Sequence, residues 1–208
     1  MREEIMMREY QEADRQFLED IIRETWNYDR FCSSRTAKKM ANVYLNSCLA
    51  NQTFTRVALV ENTPVGIIMG NHIQEHKCPL NLRIKQLKSI ISLYLSKEGR
   101  KVSKMFGGIE EIDKELLSAC GKKYQGELAF FAVSEACQGR GLGRKLFQAA
   151  VDYMRSQHIP SFFLFTDTSC NYPFYEHLGM KRCGEIKKVI HTELENREMT
   201  FFIYEYQI

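Results

Sequence analysis

Apolar residues recur along this chain in two rhythms, and the switches between them mark its elements. Ala13, Phe17, Ile21 and Thr25/Trp26 share one helical face, which predicts an amphipathic helix over about Glu12–Trp26 after a short strand at Met6–Tyr10. A second helix is expected to start after Ser33 or Ser34, either able to cap it, and to run to about Cys48. Thr55–Glu61, Asn62-Thr63-Pro64 and Val65–Asn71 read as strand, turn and strand. Leu80, Ile84, Leu87, Ile91 and Leu95 step by 4, 3, 4 and 4, the spacing of a helix whose stripe must be buried against something. Gly99 interrupts, and a further helical piece is expected over about Ile109–Cys120. The run ELAFFAV, ending at Val133, reads as a fully buried strand. Leu142, Leu146, Ala149/Ala150 and Tyr153 form the inner face of a helix that stops before Pro160, and SFFLF follows as a strand. A short helix over about Pro173–Leu178 has proline in its first turn and Gly179 past its end. Strands near Met180–Glu185 and Met199–Tyr206 complete an α/β pattern.

Composition narrows the class. At 208 residues, with no internal repeat and no Pro/Gly/Ser-rich linker, the chain reads as one domain, residues 1–208. Its 44% apolar and 12% aromatic content excludes a disordered chain. Seven cysteines without a C-x-x-C pair, acidic residues in MREEIMMREY where a secretory signal needs an apolar run, and no stretch of roughly 18 apolar residues lead to the expectation of a cytoplasmic protein with reduced thiols and no membrane partner. The net charge of +3 is too mild to imply nucleic acid and leaves room for an anionic ligand. Lys77–Lys123 carries 11 basic against 5 acidic residues, but these are interspersed with Ile and Leu at core spacing, so nucleic acid is not expected as a partner. His72, His76 and Cys78 sit in a strand end and loop without a fourth ligand, and no metal is expected.

One local pattern breaks the propensity rules. Gly139, Gly141 and Gly143 alternate with Arg140, Leu142 and Arg144 directly ahead of a strongly helical pattern, although each glycine in a helix interior costs roughly 1 kcal/mol relative to alanine. Successive backbone N–H groups at a helix start form a concave donor site, strengthened by the helix dipole, and missing side chains let a phosphate reach the peptide plane. A pyrophosphate is the expected guest, with Arg140 and Arg144 at its rim. The Walker pattern is absent, and the third glycine of a dinucleotide fingerprint would fall at Arg144. Asp167, near the position of a ribose-binding acid, weakens that second exclusion. Strand, glycine turn, helix and strand in this order form a βαβ-type unit whose two strands should be parallel.

Gln138-Gly139-Arg140-Gly141-Leu142-Gly143 resembles the Q/R-x-x-G-x-G/A signature of the GNAT superfamily of N-acetyltransferases. A second family element, an Asn followed by a Phe-Tyr pair and a Gly, is similar to NYPFYEHLGM over Asn171–Met180. The likeness covers about Met6–Asn71 loosely and Gly126–Tyr206 well. It implies a mixed central sheet of about six to seven strands flanked by helices; it does not cover the helical insert over about residues 75–123 ahead of the coenzyme-binding strand, which is longer than the usual connection. It also implies acetyl-coenzyme A as donor, its pyrophosphate on the turn from Gln138 to Arg144 and its pantetheine arm between ELAFFAV and SFFLFTD. There the backbone of Ala132 and Val133 would hold the arm, with the Val133 N–H aimed at the thioester carbonyl.

By the same resemblance Tyr175 is the general acid, Asn171 orients the pantetheine amides, and Glu127 is the base. An even offset puts Glu127 on the same strand face as Val133 unless the strand bulges. A free glutamate, near pKa about 4.3, is a weak base for an alkylammonium and needs burial or an intervening water. Cys137 and Cys170 flank the site, but direct attack in a ternary complex requires fewer parts than a cysteine relay. The expected reaction is acetyl transfer to a primary amine, the alternative being a non-catalytic module that senses acyl-coenzyme A. The acceptor stays open among polyamine, amino acid, antibiotic and protein lysine, and the insert is expected to cover the acceptor side of the cleft or a homodimer contact.

Overall fold

The computed structural model describes residues 5–191 and 196–208. In chain order its elements are β1 (Ile5–Arg8), α1 (Arg15–Trp26), α2 (Ser34–Ala50), β2 (Phe54–Val60), β3 (Thr63–His72), α3 (Leu80–Tyr94), α4 (Lys97–Phe106), α5 (Ile109–Ala119), β4 (Gly126–Val133), α6 (Leu142–Ser156), β5 (Ser161–Asp167), α7 (Pro173–His177), β6 (Lys181–His191) and β7 (Asn196–Gln207). The strands form one seven-stranded sheet in the order β1-β2-β3-β4-β5-β7-β6. All neighbours are antiparallel except β4 and β5, the parallel pair expected from the βαβ order.

Each sheet face receives helices that bring the periodic apolar positions down onto it. On one face Leu18 and Ile22 of α1 and Leu45 of α2 meet Val57, Ile67, Met69 and Phe130. Farther along that face, Ile112 and Leu116 of α5 cover Phe163, Phe201 and Ile203. The opposite face is closed by Leu142, Leu146, Ala150 and Met154 of α6 against Ile68, Leu128, Phe162 and Leu164. The first face therefore has two separate covers, α1/α2 and α5, with a seam between them over β4 and β5.

Local chemistry explains several boundaries. Ser33 caps α2, its Oγ accepting from the Thr36 N–H at 3.4 Å. The β2–β3 turn falls at Glu61 and Asn62 (φ 50° and 64°), a two-residue hairpin with both residues left-handed, so Thr63 and Pro64 belong to β3 rather than to the expected turn. The closing strands β6 and β7 run well beyond the expected segments because they pair with each other from Lys181↔Glu205 to His191↔Asn196.

The insert differs most from expectation. It contains three helices, and Gly99 lies inside the first turn of α4 instead of ending a helix. Ser96 caps α4 by accepting the Gly99 N–H at 2.9 Å, and a Cβ on Gly99 would lie 2.0 Å from the Leu93 carbonyl oxygen. Gly99→Ala is therefore expected to lower the unfolding free energy by about 2–3 kcal/mol, read as a reduced denaturant midpoint. Glu98 of α4 accepts hydrogen bonds from the Ser33 N–H (2.8 Å), Ser33 Oγ (2.6 Å) and Thr36 Oγ1 (2.5 Å), which pull its carboxyl down to about 2 and fix α4 to the head of α2. The apolar stripe of α3 faces outward: Leu80, Leu87, Ile91 and Leu95 are 75%, 51%, 60% and 77% exposed. Polar contacts set this roll of the helix. Lys39 Nζ donates to the Ser92 carbonyl (2.7 Å), Gln86 Nε2 to Ser47 Oγ (3.2 Å) and Lys85 Nζ to Glu12 (3.0 Å), so Ser89 and Leu93 face inward.

Candidate active site

β4 and β5 touch at one end only. Their parallel register has two residue pairs, Gly126↔Phe162 and Glu127↔Phe163. Gly126 permits this contact, since a Cβ there would lie 3.0 Å from each of Ile159 Cγ2, Met154 Sδ and Phe162 Cβ. Beyond Glu127 the strands part. The backbone on the β4 side of that opening can be read from the ladder to β3. Ser134 N–H donates to the Val65 carbonyl at 2.8 Å, and Gly66 pairs with Val133. Alternation along an antiparallel ladder then turns the N–H and C=O of Ala132 toward β3 and those of Val133 into the opening. Gln138 Nε2 donates to the Val133 carbonyl at 3.4 Å, tying the turn to the strand end.

The glycine turn sits at the mouth of this opening. Gly139 and Gly141 have φ of +76° and +78°, and Gly141 is the N-cap of α6. With glycine as cap, no cap side chain accepts from the first-turn N–H groups, which is the donor arrangement an anion requires. Leu142 anchors the turn by burying its side chain, while Arg140 and Arg144 are exposed at its rim. Gly143 serves a different need: a Cβ there would stand 3.0 Å from Phe174 Cζ and 3.5 Å from Phe131 Cζ. Its bare backbone lets α7 pack against the head of α6.

Tyr175 lies on α7 in an aromatic wall, with ring centroids 6.4 Å from Phe131, 5.7 Å from Phe174 and 6.0 Å from Tyr204. Burial raises its phenol well above the usual tyrosine range, with Cys170 and Asp167 adding to the rise. Asn171 is exposed, and its carbonyl rather than its side chain receives the Phe174 N–H, at 3.2 Å.

Glu127 reaches the other sheet face from Val133. The β3–β4 register shifts between Met69 and Gly70, leaving Ala129 as an extra residue on β4. Leu128, Phe131 and Val133 consequently pack on the α6 side, and Phe130 and Ala132 on the α1/α2 side. Glu127 pairs with Asn71 on β3 and Phe163 on β5, both facing the seam between α2 and α5. The expected common face of Glu127 and Val133 is thus undone by the bulge. Burial raises the Glu127 carboxyl, and the neighbouring amides of Asn71 and Asn51 pull it partly back. Cys48 of α2, close to Glu127, is pushed up to about 12, and Cys170 up to about 11, both chiefly by burial. His76 Nε2 is bonded to the Ala50 carbonyl at 2.9 Å, and no group of three or more His, Cys, Asp or Glu side chains among the described residues could hold a metal ion.

The model of the acetyltransferase (GNAT) family matches residues 15–180. The chain belongs to the GNAT family. It is accordingly an acyltransferase. No curated protein matches it. Solved structures share its fold at low identity. The ribosomal-protein-alanine N-acetyltransferase of Brucella melitensis is 14% identical over 98% of this chain and 99% of that one, with a TM-score of 0.54. An N-acetyltransferase of Staphylococcus aureus Mu50 is 11% identical over 98% of each chain, with a TM-score of 0.54. The yncA protein of Salmonella typhimurium, solved with its cofactor acetyl-CoA, is 14% identical over 98% of this chain and 94% of that one, with a TM-score of 0.55.

Against this GNAT frame, the structure gathers the turn from Gln138 to Arg144, Val133 and Tyr175 around one opening, with Glu127 on the seam side of its closed end. Sequence reading missed Asn71, Asn51 and Asp113. Asn71 continues the inward alternation of Ile67 and Met69, so a polar residue at a core position was its signal. Asp113 carries a similar one, standing in the apolar face of α5 four residues from both Ile109 and Leu117.

Proposed function

We propose that this GNAT protein moves an acetyl group from acetyl-CoA to a primary amine by direct attack in a ternary complex. The observation that carries this reading is the opening beyond Glu127 and Phe163, with the Val133 N–H turned into it and the glycine turn at its mouth. The first-turn N–H groups of α6, with Arg140 and Arg144 at the rim, suit the pyrophosphate. Val133, with Ala132 behind it in the ladder, suits the pantetheine arm, and Asn171 is exposed to meet its amides.

Acetyl-CoA supplies the acyl group as a thioester: the amine nitrogen bonds to the carbonyl carbon and the carbon–sulfur bond breaks. Glu127 takes the ammonium proton, directly or through a water, its carboxyl made more basic by burial. The Val133 N–H, turned into the opening, holds the pantetheine arm, since about 20 Å of strand separates it from Glu127. Tyr175, kept protonated by burial, gives its proton to the departing sulfur and recovers one from the nitrogen of the newly formed amide. The raised thiols of Cys48 and Cys170 favour direct attack over a thiolate relay.

Calorimetry is expected to give a binding isotherm with acetyl-CoA, and amine addition to release the free coenzyme thiol. Tyr175→Phe should lower kcat by about 10²-fold with donor affinity little changed. A folded protein that gave no heat with acetyl-CoA, yet bound a nicotinamide dinucleotide, would overturn the reading.

A further inference from the structure

We infer that the seam between α2 and α5 takes an aliphatic diamine as acceptor, and that Asp113 of the insert selects it by holding the amine that does not react. The inference rests on the acetyltransferase reading proposed above and adds the acceptor class and a specificity residue to it.

Three carboxylates line this seam from three elements. Phe163 and Phe165 of β5 point to the α5 side, so Asp167, two residues on, shares their face. Glu127 joins that face through its register with Phe163. Asp113 follows Ile112, which packs on Phe163 in the α5 cluster, and its half-buried carboxyl responds to the charges of Glu127 and Asp167. Burial first, then Glu127, Asp167 and Glu110, push Asp113 up to about 7. Among the described residues no basic side chain figures among the influences on Asp113 or Glu127. Asp113 thus stands in the repulsive field of Glu127 and Asp167, and a cation bound beside it would relieve that repulsion.

A second observation points to a ligand here. Asn71 is 4% exposed and pairs with Glu127 on the same face, yet its Oδ1 is buried without a hydrogen-bond partner among the described residues. Its Nδ2 is occupied, donating to Asn51 Oδ1 at 3.3 Å. A buried acceptor without a donor is costly, and an ammonium, with three donors and no acceptor, is its complement. The seam thus has two stations. Glu127 and Asn71 receive the amine that loses its proton and is acetylated. Asp113 and Asp167 hold a second ammonium that keeps its charge.

The test compares putrescine with butylamine on the full chain, with thiol release as readout. Wild type is expected to favour putrescine in kcat/KM by at least about tenfold, the scale of one partly buried charge pair. Asp113→Asn should raise the putrescine KM and collapse the ratio toward one, while Asp113→Glu should restore most of it. Calorimetry on the complex with coenzyme A should show putrescine binding to wild type and weaker binding to Asp113→Asn. Equal use of both amines by wild type, an unchanged ratio in Asp113→Asn, or no putrescine heat with the coenzyme bound would overturn the acceptor assignment and leave the acetyltransferase reading standing. Failure to bind acetyl-CoA at all would instead remove the reading on which the inference rests.

Discussion

Glu127→Gln is expected to lower kcat by about 10²- to 10³-fold at neutral pH while acetyl-CoA still binds, because it removes the proton acceptor and leaves the glycine turn intact. In the wild type, kcat/KM should rise with pH through the titration of Glu127, at a value above the ordinary carboxylate range because burial opposes its charge. That acid limb should vanish in the variant. Stability should move the other way. The folded-state pKa of Glu127 is raised, so its contribution is best below the ordinary glutamate pKa and is lost as pH rises through the folded value. At a pH above that folded value the wild type carries a buried carboxylate beside Asp113 and Cys48 that the variant lacks. Glu127→Gln should therefore melt at a higher temperature than wild type at that pH, and differ little near pH 4. A variant that lost activity and stability together would point to a structural role instead.

Gly141→Val is expected to raise the KM for acetyl-CoA by about 10- to 100-fold. Gly141 has φ +78°, and a β-branched residue held in that region costs about 1–3 kcal/mol, which the turn can escape only by reorienting the N–H groups at the head of α6. A Cβ at Gly141 meets nothing within 4 Å, so the effect comes from backbone conformation and not from a clash. Gly143 provides the contrast, since there an added Cβ presses on Phe174. Isothermal titration with acetyl-CoA checks the prediction; unchanged affinity in a folded Gly141→Val protein would detach the turn from donor binding.

The parts legible in the sequence share a property: each has a local cause. Three alternating glycines before a helical pattern can be read without a fold, because left-handed backbone and exposed N–H groups are properties of a few consecutive residues. The parallel β4–β5 pair followed from element order alone. What escaped depends on partners distant in sequence. Nothing in ELAFFAV marks Ala129 as the extra residue, yet that one insertion decides which sheet face Glu127 serves. The stripe from Leu80 to Leu95 has the spacing of a buried face, but Lys39, Gln86 and Lys85 roll α3 so that the stripe points outward. Asp113 stood out against its apolar neighbours and acquired a meaning only when α5 was laid across β5.

With just two residue pairs joining β4 to β5, the sheet is in effect two leaves, β1 to β4 and β5 with β7 and β6, bound along a short spine and backed on one side by α6. A molecule lying in the gap supplies the inter-leaf contact that the backbone ladder omits. Holding the acyl donor and stiffening one leaf against the other are then a single event, and the amine meets its tightest enclosure only once the donor is in place.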